Sequence, residues 1–562
     1  TTTHQLTFVP YLKREGHSVM SMVRFQVSNS NSKGMNDDVS GLPSGIQLPN
    51  ENGVIQNMST SAGRSRGVNG TFSIHYAYRG KYMFDFTART DGNTKFGDNK
   101  RWGTFPAVSA RWNIIDEDFM APLRDFKVGN TYLLTMFSIR PSWGITGNAP
   151  GQDGLFYSKY SAGSAYLGIS TINPSNIRLS NMQWEEKQTW NLGFDFGLFS
   201  DRLTFSVDLY SATVTKMLNS NYPIPTSSGF SSLSVVNEGS MKNEGWELAL
   251  NANRLIRKGQ FTLGGNIAFA DNTNQILEMN PIMLDQKNGE FNFQNLSGYL
   301  SYVALKNAFG SIYGFKYLGV YQYSDYSEIE EPGVSGPNAP VVKDAEGNVI
   351  LNSKGRAKPM MFAYGNTAEY EFVGGDAIYE DINHDGNINE LDIVYLGTSL
   401  PKLNGGFGVN MTFGRLSWRN QFNFRWGNKI VNQGRRNAEA MYNTDNTSAA
   451  INWRWRVEGD DTVMPRALRN YGYNSLPSDR YVESGAFLRW NYTALSYSID
   501  PKYTKGLGLS QVSINMNLNN LINFTKYSGM DPEVGVGGMG VATDGNQTPR
   551  SRRFTMGVTI QF

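Results

Sequence analysis

The sequence predicts an all-β fold: an antiparallel transmembrane β-barrel, about fifteen strands of which lie in this chain, with long extracellular loops. Three observations predict it. Apolar residues alternate at period two in run after run, many of them ten or more residues long. Connections between the runs alternate between short and long. The last run, Phe554, Met556, Val558, Ile560 and Phe562, alternates strictly and stops on an aromatic.

Composition is consistent with this and excludes several alternatives. At 562 residues the chain is either several domains or one very large β-structure. A formal net charge of +2 gives no basis for a nucleic-acid partner. The absence of cysteine removes disulfides and thiolate metal sites, and fits a Gram-negative envelope protein. No apolar run approaches the roughly 18 residues of a membrane helix, a test that barrel strands escape because they stay polar on average. The chain opens on TTTHQLTFVPYLK, strand-like and without a signal peptide, which implies processing or a longer parent chain.

In order, the candidate strands are His4–Leu12, His17–Ser30, Gly67–Tyr78, Lys81–Asn93, Trp102–Asp116 and Thr131–Thr146. Trp190–Leu209 follows as a hairpin. Trp190, Leu192, Phe194 and Phe196 alternate with Asn191, Gly193, Asp195 and Gly197, then Leu203, Phe205, Val207 and Leu209 alternate with Thr204, Ser206 and Asp208. A barrel turns such an apolar face to lipid and its polar face to the lumen. Asn243–Asn253, Gly259–Ala270, Gly405–Phe413, Leu416–Asn428, Gly485–Ile499, Leu509–Thr525 and Arg552–Phe562 complete the set.

Lys13–Gly16, Arg79–Gly80, Ser200–Arg202 and Gly414–Arg415 are short connections. Asn31–Arg66, Asn148–Lys187, Met217–Lys242, the excursion from Asp271 to Asn404, Lys429–Ser484 and Lys526–Ser551 are long. Short turns on one side and long loops on the other are the layout of an outer-membrane barrel. With long loops extracellular and Phe562 periplasmic, roughly fifteen crossings place His4 outside and keep Gly314–Gln322 within an extracellular excursion. Single-chain barrels have even strand numbers, so an odd number of further strands is expected elsewhere.

Within the longest excursion, Asp381–Asp392 reads D-I-N-H-D-G-N-I-N-E-L-D. Asp381, Asn383, Asp385, Asn389 and Asp392 fall at positions one, three, five, nine and twelve of a calcium loop. Gly386 takes the sharp turn and Asn387 the position that offers its backbone carbonyl. Calcium takes about 6–8 oxygen ligands, and three carboxylates so close repel one another without a cation. The competing reading is a loop rich in Asx turns. Asp at position twelve reaches less far than the usual Glu.

Several motifs, in order, carry a family resemblance: Arg89-Thr-Asp-Gly-Asn, Arg101-Trp-Gly-Thr-Phe-Pro-Ala-Val-Ser-Ala, Ser142-Trp-Gly-Ile-Thr-Gly-Asn, Trp184-Glu185, Asn237-Glu-Gly-Ser-Met-Lys-Asn-Glu-Gly-Trp-Glu, the Asp381 loop, Gly397-Thr-Ser-Leu-Pro-Lys, Gly485-Ala-Phe-Leu-Arg and Asn520-Leu-Ile-Asn-Phe-Thr-Lys-Tyr-Ser-Gly-Met-Asp-Pro-Glu. Across nearly its whole length the chain resembles the C-terminal part of SusC/RagA-type TonB-dependent outer-membrane transporters of Bacteroidota. The resemblance implies a 22-stranded barrel, of which residues 1–562 form the C-terminal portion, with the N-terminal plug, TonB box and first strands absent here. It also implies import of bulky nutrients of the oligosaccharide or oligopeptide class, a SusD-like surface lipoprotein over the extracellular mouth, and TonB acting through the N-terminal region. A non-transporting SusC-like scaffold subunit of a larger outer-membrane assembly is the alternative.

No catalytic residue is expected: there is no G-x-S-x-G elbow and no H-E-x-x-H, and His4, His17, His75 and His384 lack partners at metal spacing. The metal candidates are therefore Asp381, Asn383, Asp385, Asn387, Asn389 and Asp392, holding a structural Ca²⁺. No residue is assigned to substrate. Trp453, Trp455, Tyr471 and Tyr473 are read as loop packing, with a face toward ligand or the lipoprotein as the alternative, and Arg435, Arg436, Arg466 and Arg469 as solvated charge rather than an anion site.

Overall fold

The computed structural model describes residues 1–41, 54–164, 167–169, 171–288, 300–301, 303–322, 326–328, 338–353, 355, 357–363, 369–469, 473–536 and 540–562. One fifteen-stranded sheet dominates it, and consecutive strands are neighbours throughout. The strands are β1 (Thr2–Phe8), β2 (His17–Ser40), β3 (Val54–Tyr78), β4 (Tyr82–Asn93), β5 (Trp102–Asn113), β6 (Leu134–Asn148), β7 (Glu185–Leu198) and β8 (Leu203–Thr215). They continue as β9 (Ser240–Lys258), β10 (Phe261–Glu278), β11 (Leu403–Phe413), β12 (Leu416–Trp426), β13 (Phe487–Ser498), β14 (Gln511–Thr525) and β15 (Arg553–Gln561). The pairing is antiparallel. Among the described residues no helix is long and apolar enough to cross a membrane.

The predicted strands are all present, and four of them run well past their expected ends. β2 and β3 stay paired from His17 opposite Tyr78 out to Ser40 opposite Val54, with one register shift between Asp38 and Val39, although Asn31–Arg66 reads as loop. Serine, asparagine and glycine fill that ribbon, so its hydrophobic alternation fades while its backbone ladder continues. β9 and β10 likewise overrun their expected ends. Thr131–Tyr132 turns back onto Lys127–Val128 and does not open β6. Gly314–Gln322 lies outside the main sheet, as expected: Ser311–Gly314 pairs with Val394–Thr398, and Tyr317–Val320 with Ala377–Tyr379.

The chain forms two compact units, Thr1–Trp246 with Ile276–Met283, and Glu247–Gln275 with Leu284–Phe562. In the first, the period of two decides which side chains face outward. Phe72, Phe84, Trp102 and Trp190 remain largely exposed on the apolar face, as a lipid-facing surface requires. At one edge of this face Tyr78, Tyr82 and Trp112 form a stacked row, with ring centroids 6.4 and 6.5 Å apart. At the other edge stands Trp102, opposite Gly92. From residue 82 to residue 92 the strand climbs about 33 Å, which a barrel tilt reduces to about 25 Å, the height of an apolar band between aromatic girdles.

In the second unit a separate core forms from loop residues. Phe315, Val342, Phe362, Phe372, Tyr379, Ile388 and Leu476 are buried together. This excursion is therefore a packed element, not a slack connection.

Candidate functional site

The polar face of β6–β8 carries an ionic cluster. The Asp195 carboxylate accepts from Arg140 Nε and Nη2 at 2.7 and 2.9 Å and from Ser138 Oγ at 3.0 Å, with Arg111 Nη2 at 3.4 Å. Arg140 Nη2 also reaches Asp208 at 3.4 Å, and Asn191 Nδ2 donates to Asp208 at 2.9 Å. The guanidinium crosses the strand over Gly193, where a Cβ would stand 2.7 Å from Asp208 Oδ1 and 2.8 Å from Arg140 Cζ. These residues sit on the side of β7 opposite Trp190, Leu192 and Phe194. One face of the wall is built for water and the other for lipid.

Further along the polar face lies a cavity of about 570 Å³, walled by Phe105, Ile145 and Trp184 and rimmed by Asn69, Arg89, Asp91 and Asn93. Its size falls in the usual range of ligand pockets. Arg89 binds Asp91 in a fork, at 2.7 and 2.8 Å. Phe105 lies against Gly103 and Gly147, where any Cβ would overlap its ring. Sequence reading missed both the ionic cluster and the cavity, because each depends on which residue stands opposite which across three strands.

In the second unit the loop segments are fastened by buried charge. Asp376, fully buried, accepts from Arg466 Nε (2.6 Å), Tyr370 Oη (2.6 Å), Asn474 Nδ2 (3.0 Å) and the Val373 amide (2.9 Å). Burial, reinforced by the Asp376 charge, pushes the Tyr370 phenol well up. Trp455 packs on Gly375, whose φ of +85° and contact with the indole both demand glycine, and donates to Gln322 at 3.0 Å. Arg436 is buried and donates to the Ser475 carbonyl at 2.9 Å. Arg435 binds Glu439 at 2.8 Å and Glu483 at 3.1 Å, and Arg480 binds Glu439 at 3.2 Å. Burial works against the Glu483 charge, but hydrogen bonds from Ser528, Arg435 and Asn432 hold its carboxyl below the usual range.

The reading of Arg435, Arg436 and Arg466 as solvated charge is therefore overturned: each is committed to a carboxylate or a carbonyl inside the loop packing. Arg469 is exposed, as expected. Trp455 and Tyr473 are buried, in keeping with loop packing, whereas Trp453 is 78% exposed. Tyr471 lies outside the described residues. Of the histidines, His75 lies 2.7 Å from Asp85, and His17 2.9 Å from the Tyr76 hydroxyl.

The acidic loop winds about its own amides. Asp381 accepts from the amides of Asp385 (3.2 Å) and Gly386 (2.8 Å), and Asn383 Oδ1 from that of Asp385 (3.1 Å). Asp385 accepts from the Asn387 amide (2.7 Å), and Asn389 from that of Leu391 (2.8 Å). Asp392 closes the loop by accepting from Ile382 (2.8 Å) and Asn389 (2.9 Å). Asn387–Ile388 pairs with Met361–Phe362, and the Lys358 ammonium donates to the Asp385 carbonyl. Among the described residues no three His, Cys, Asp or Glu side chains converge as a metal-holding group. The donors are nonetheless all hard oxygens. Asp392 is fully buried and its carboxyl is pushed up to about 6, first by burial and then by Asp381 and Asp385. A divalent cation would offset both causes, so the residues fit calcium chemically.

A meander of long strands, lipid-facing on one side and ion-paired on the other, defines an outer-membrane β-barrel protein. Residues 6–342 match the family described as TonB dependent receptor-like, beta-barrel, and the chain belongs to that family. A TonB-dependent receptor of Formosa agariphila is 31% identical over 506 residues, covering 87% of this chain and 46% of its own length. The TonB-dependent receptor SusC of Bacteroides thetaiotaomicron is 25% identical over 504 residues, covering 87% and 43%. The chain thus spans about half the length of the curated relatives it matches. The structure of the RagAB peptide transporter matches all of this chain and 55% of its own, with a TM-score of 0.73 at 19% identity, a likeness of fold. These relatives are receptors of the outer membrane, not enzymes.

Proposed function

We propose that the chain is the C-terminal barrel portion of a SusC-like TonB-dependent transporter that imports an oligosaccharide or oligopeptide. The polar face carries this reading. The Arg111–Arg140–Asp195–Asp208 cluster is ion-paired and partly exposed, which suits the wall of a water-filled lumen wide enough for a bulky nutrient. The loop core, tied by Asp376 and Glu439, gives the extracellular mouth a firm rim on which a SusD-like lipoprotein can seat. TonB would act through the N-terminal region of the full-length protein.

The Asp381–Asp392 loop is proposed to hold a structural Ca²⁺. Side chains of Asp381, Asn383, Asp385, Asn389 and Asp392 and the carbonyl of Asn387 would be its ligands. When bound, the ion supplies only charge compensation and stiffness. The chain's own amides already set the turn.

The test is uptake of labelled glycans and peptides by cells carrying the full-length protein, with and without TonB, together with affinity capture of the surface lipoprotein. TonB-dependent uptake of one class is the expected result. Capture of the lipoprotein without any uptake would overturn transport in favour of a scaffold subunit.

A further inference from the structure

The hairpin of β2 and β3 carries a cationic face whose position identifies its partner. Outside the level where Thr2 of β1 stands opposite Val27, and where Asn93 of β4 stands opposite Gly67, these two strands pair only with each other. Residues directly across an antiparallel pair share a face. On one face Val23 stands opposite Phe72, Phe25 opposite Gly70 and Val27 opposite Val68. This is the lipid-facing side, and Val68 lies level with Gly92 and hence with Trp102 at the belt's edge. Outward on the same face come Arg66 opposite Asn29, Arg64 opposite Asn31 and Lys33 opposite Ala62.

The cations therefore begin where the apolar belt ends. Arg66 lies two residues beyond Val68 and Lys33 six beyond Val27, so the set spans about 5 to 15 Å above the belt at barrel tilt. A headgroup layer is about 5–8 Å deep on each side of the hydrocarbon, so Arg66 stands within it and Arg64 and Lys33 reach over its outer side. Arg64 and Arg66 are about 7 Å apart, and Lys33 is diagonal to Arg64 at a similar spacing. All three are exposed, and none of their side chains has an ion-pair or hydrogen-bond partner among the described residues. The nearby acid Asp153 lies against Gly63, on the opposite face, and is paired with Lys95 at 3.6 Å. Asp37 shares the cationic face but stands farther out, opposite Met58.

Like charges side by side destabilise a sheet, and an anionic layer at this depth would relieve them. We propose that Lys33, Arg64 and Arg66 form a binding face for the phosphorylated headgroups of outer-leaflet lipid. The two guanidinium forks match phosphate oxygens in pairs, and the lysine adds a point charge. The face would anchor the projecting hairpin to the membrane surface and fix its height.

The experiment uses the full-length protein in nanodiscs of phosphatidylcholine doped with lipid A, with retained lipid A counted by native mass spectrometry after detergent extraction. The test variant is K33Q/R64Q/R66Q. The control, K13Q/R14Q, removes charge from the turn at the other end of β2. Heat-shifted gel migration verifies that each variant folds. We expect roughly a fivefold loss of retained lipid A per cation in the test variant, no loss in the control, and weakening by salt. Equal retention in the test variant overturns the proposal, as does an equal loss in the control. Full displacement of lipid A by excess inorganic phosphate also overturns it, in favour of a free-anion site.

Discussion

Arg489 and Asp531 meet with Nη2 2.5 Å from Oδ1, joining β13 to the segment that follows β14. Glu533 stands 3.7 Å from the same guanidinium and is itself held by Arg550 at 2.8 Å. The arginine side chain is only 4% exposed, so removing it strands the Asp531 carboxylate with little water to replace it, while Glu533 keeps Arg550. Arg489→Met should cost about 3–5 kcal/mol. Asp531→Asn, which keeps a hydrogen-bond acceptor, should cost about 1–3 kcal/mol. The temperature at which the folded band is lost on semi-native gels would rank the two.

Three tyrosines set the alkaline limit of the loop core. Burial raises Tyr317 to about 12, and Tyr370 and Tyr379 are raised as well. A folded-state value above the ordinary 10 means that the fold holds the neutral phenol. Its stabilisation is whole below pH 10 and is lost as pH climbs from 10 towards 12. Tyrosinate absorbance should therefore rise in step with loss of near-ultraviolet circular dichroism over that interval. Tyr370→Phe should make the decline shallower while lowering stability at neutral pH by about 1 kcal/mol through the lost bond to Asp376. An unchanged alkaline profile in the variant would remove Tyr370 from this account.

What the sequence disclosed and what it hid divide along a physical line. Trp190–Leu209 announces its strands and its two faces, because lipid on one side and water on the other impose a strict period of two. The outer ribbon of β2 and β3 is held by backbone hydrogen bonds between serines, asparagines and glycines, so no side-chain period reports it. The Asp381–Asp392 spacing is local and readable. Arg466 and Asp376 are 90 residues apart, and nothing in either neighbourhood announces the other. Arg435 and Arg436 read as surface charge because their partners Glu483 and Ser475 arrive through the fold of a long loop.

Gly193 is the position where the polar wall has least room. A methyl group there would meet Asp208 and the Arg140 guanidinium at once, so Gly193→Ala should push Arg140 off Asp195. The expected cost is about 1–3 kcal/mol, with slower folding into detergent micelles. Asp195→Asn should keep the shape but leave Arg140 and Arg111 with a weaker acceptor. If Gly193→Ala unfolds no earlier than wild type, the guanidinium does not depend on the bare backbone beneath it.

The acidic loop makes the last prediction, and its logic rests on repulsion. Asp381, Asp385 and Asp392 share one loop, with Asp392 fully buried, and its amides, with Lys358 on the Asp385 carbonyl, are what offsets their charge. An ion bound at a hundred times its dissociation constant would add about 2.7 kcal/mol to whatever unit contains the loop. Wild-type full-length protein should therefore melt higher with calcium than with chelator, while magnesium, which demands tighter octahedral geometry, should do less. Asp385→Ala removes one ligand and also the acceptor of the Asn387 amide, so its melting temperature should fall under both conditions. The diagnostic quantity is the calcium-minus-chelator difference, which should vanish in the variant. A wild-type protein indifferent to chelator would leave the loop as an amide-bound turn, with Lys358 on the Asp385 carbonyl as its charge partner.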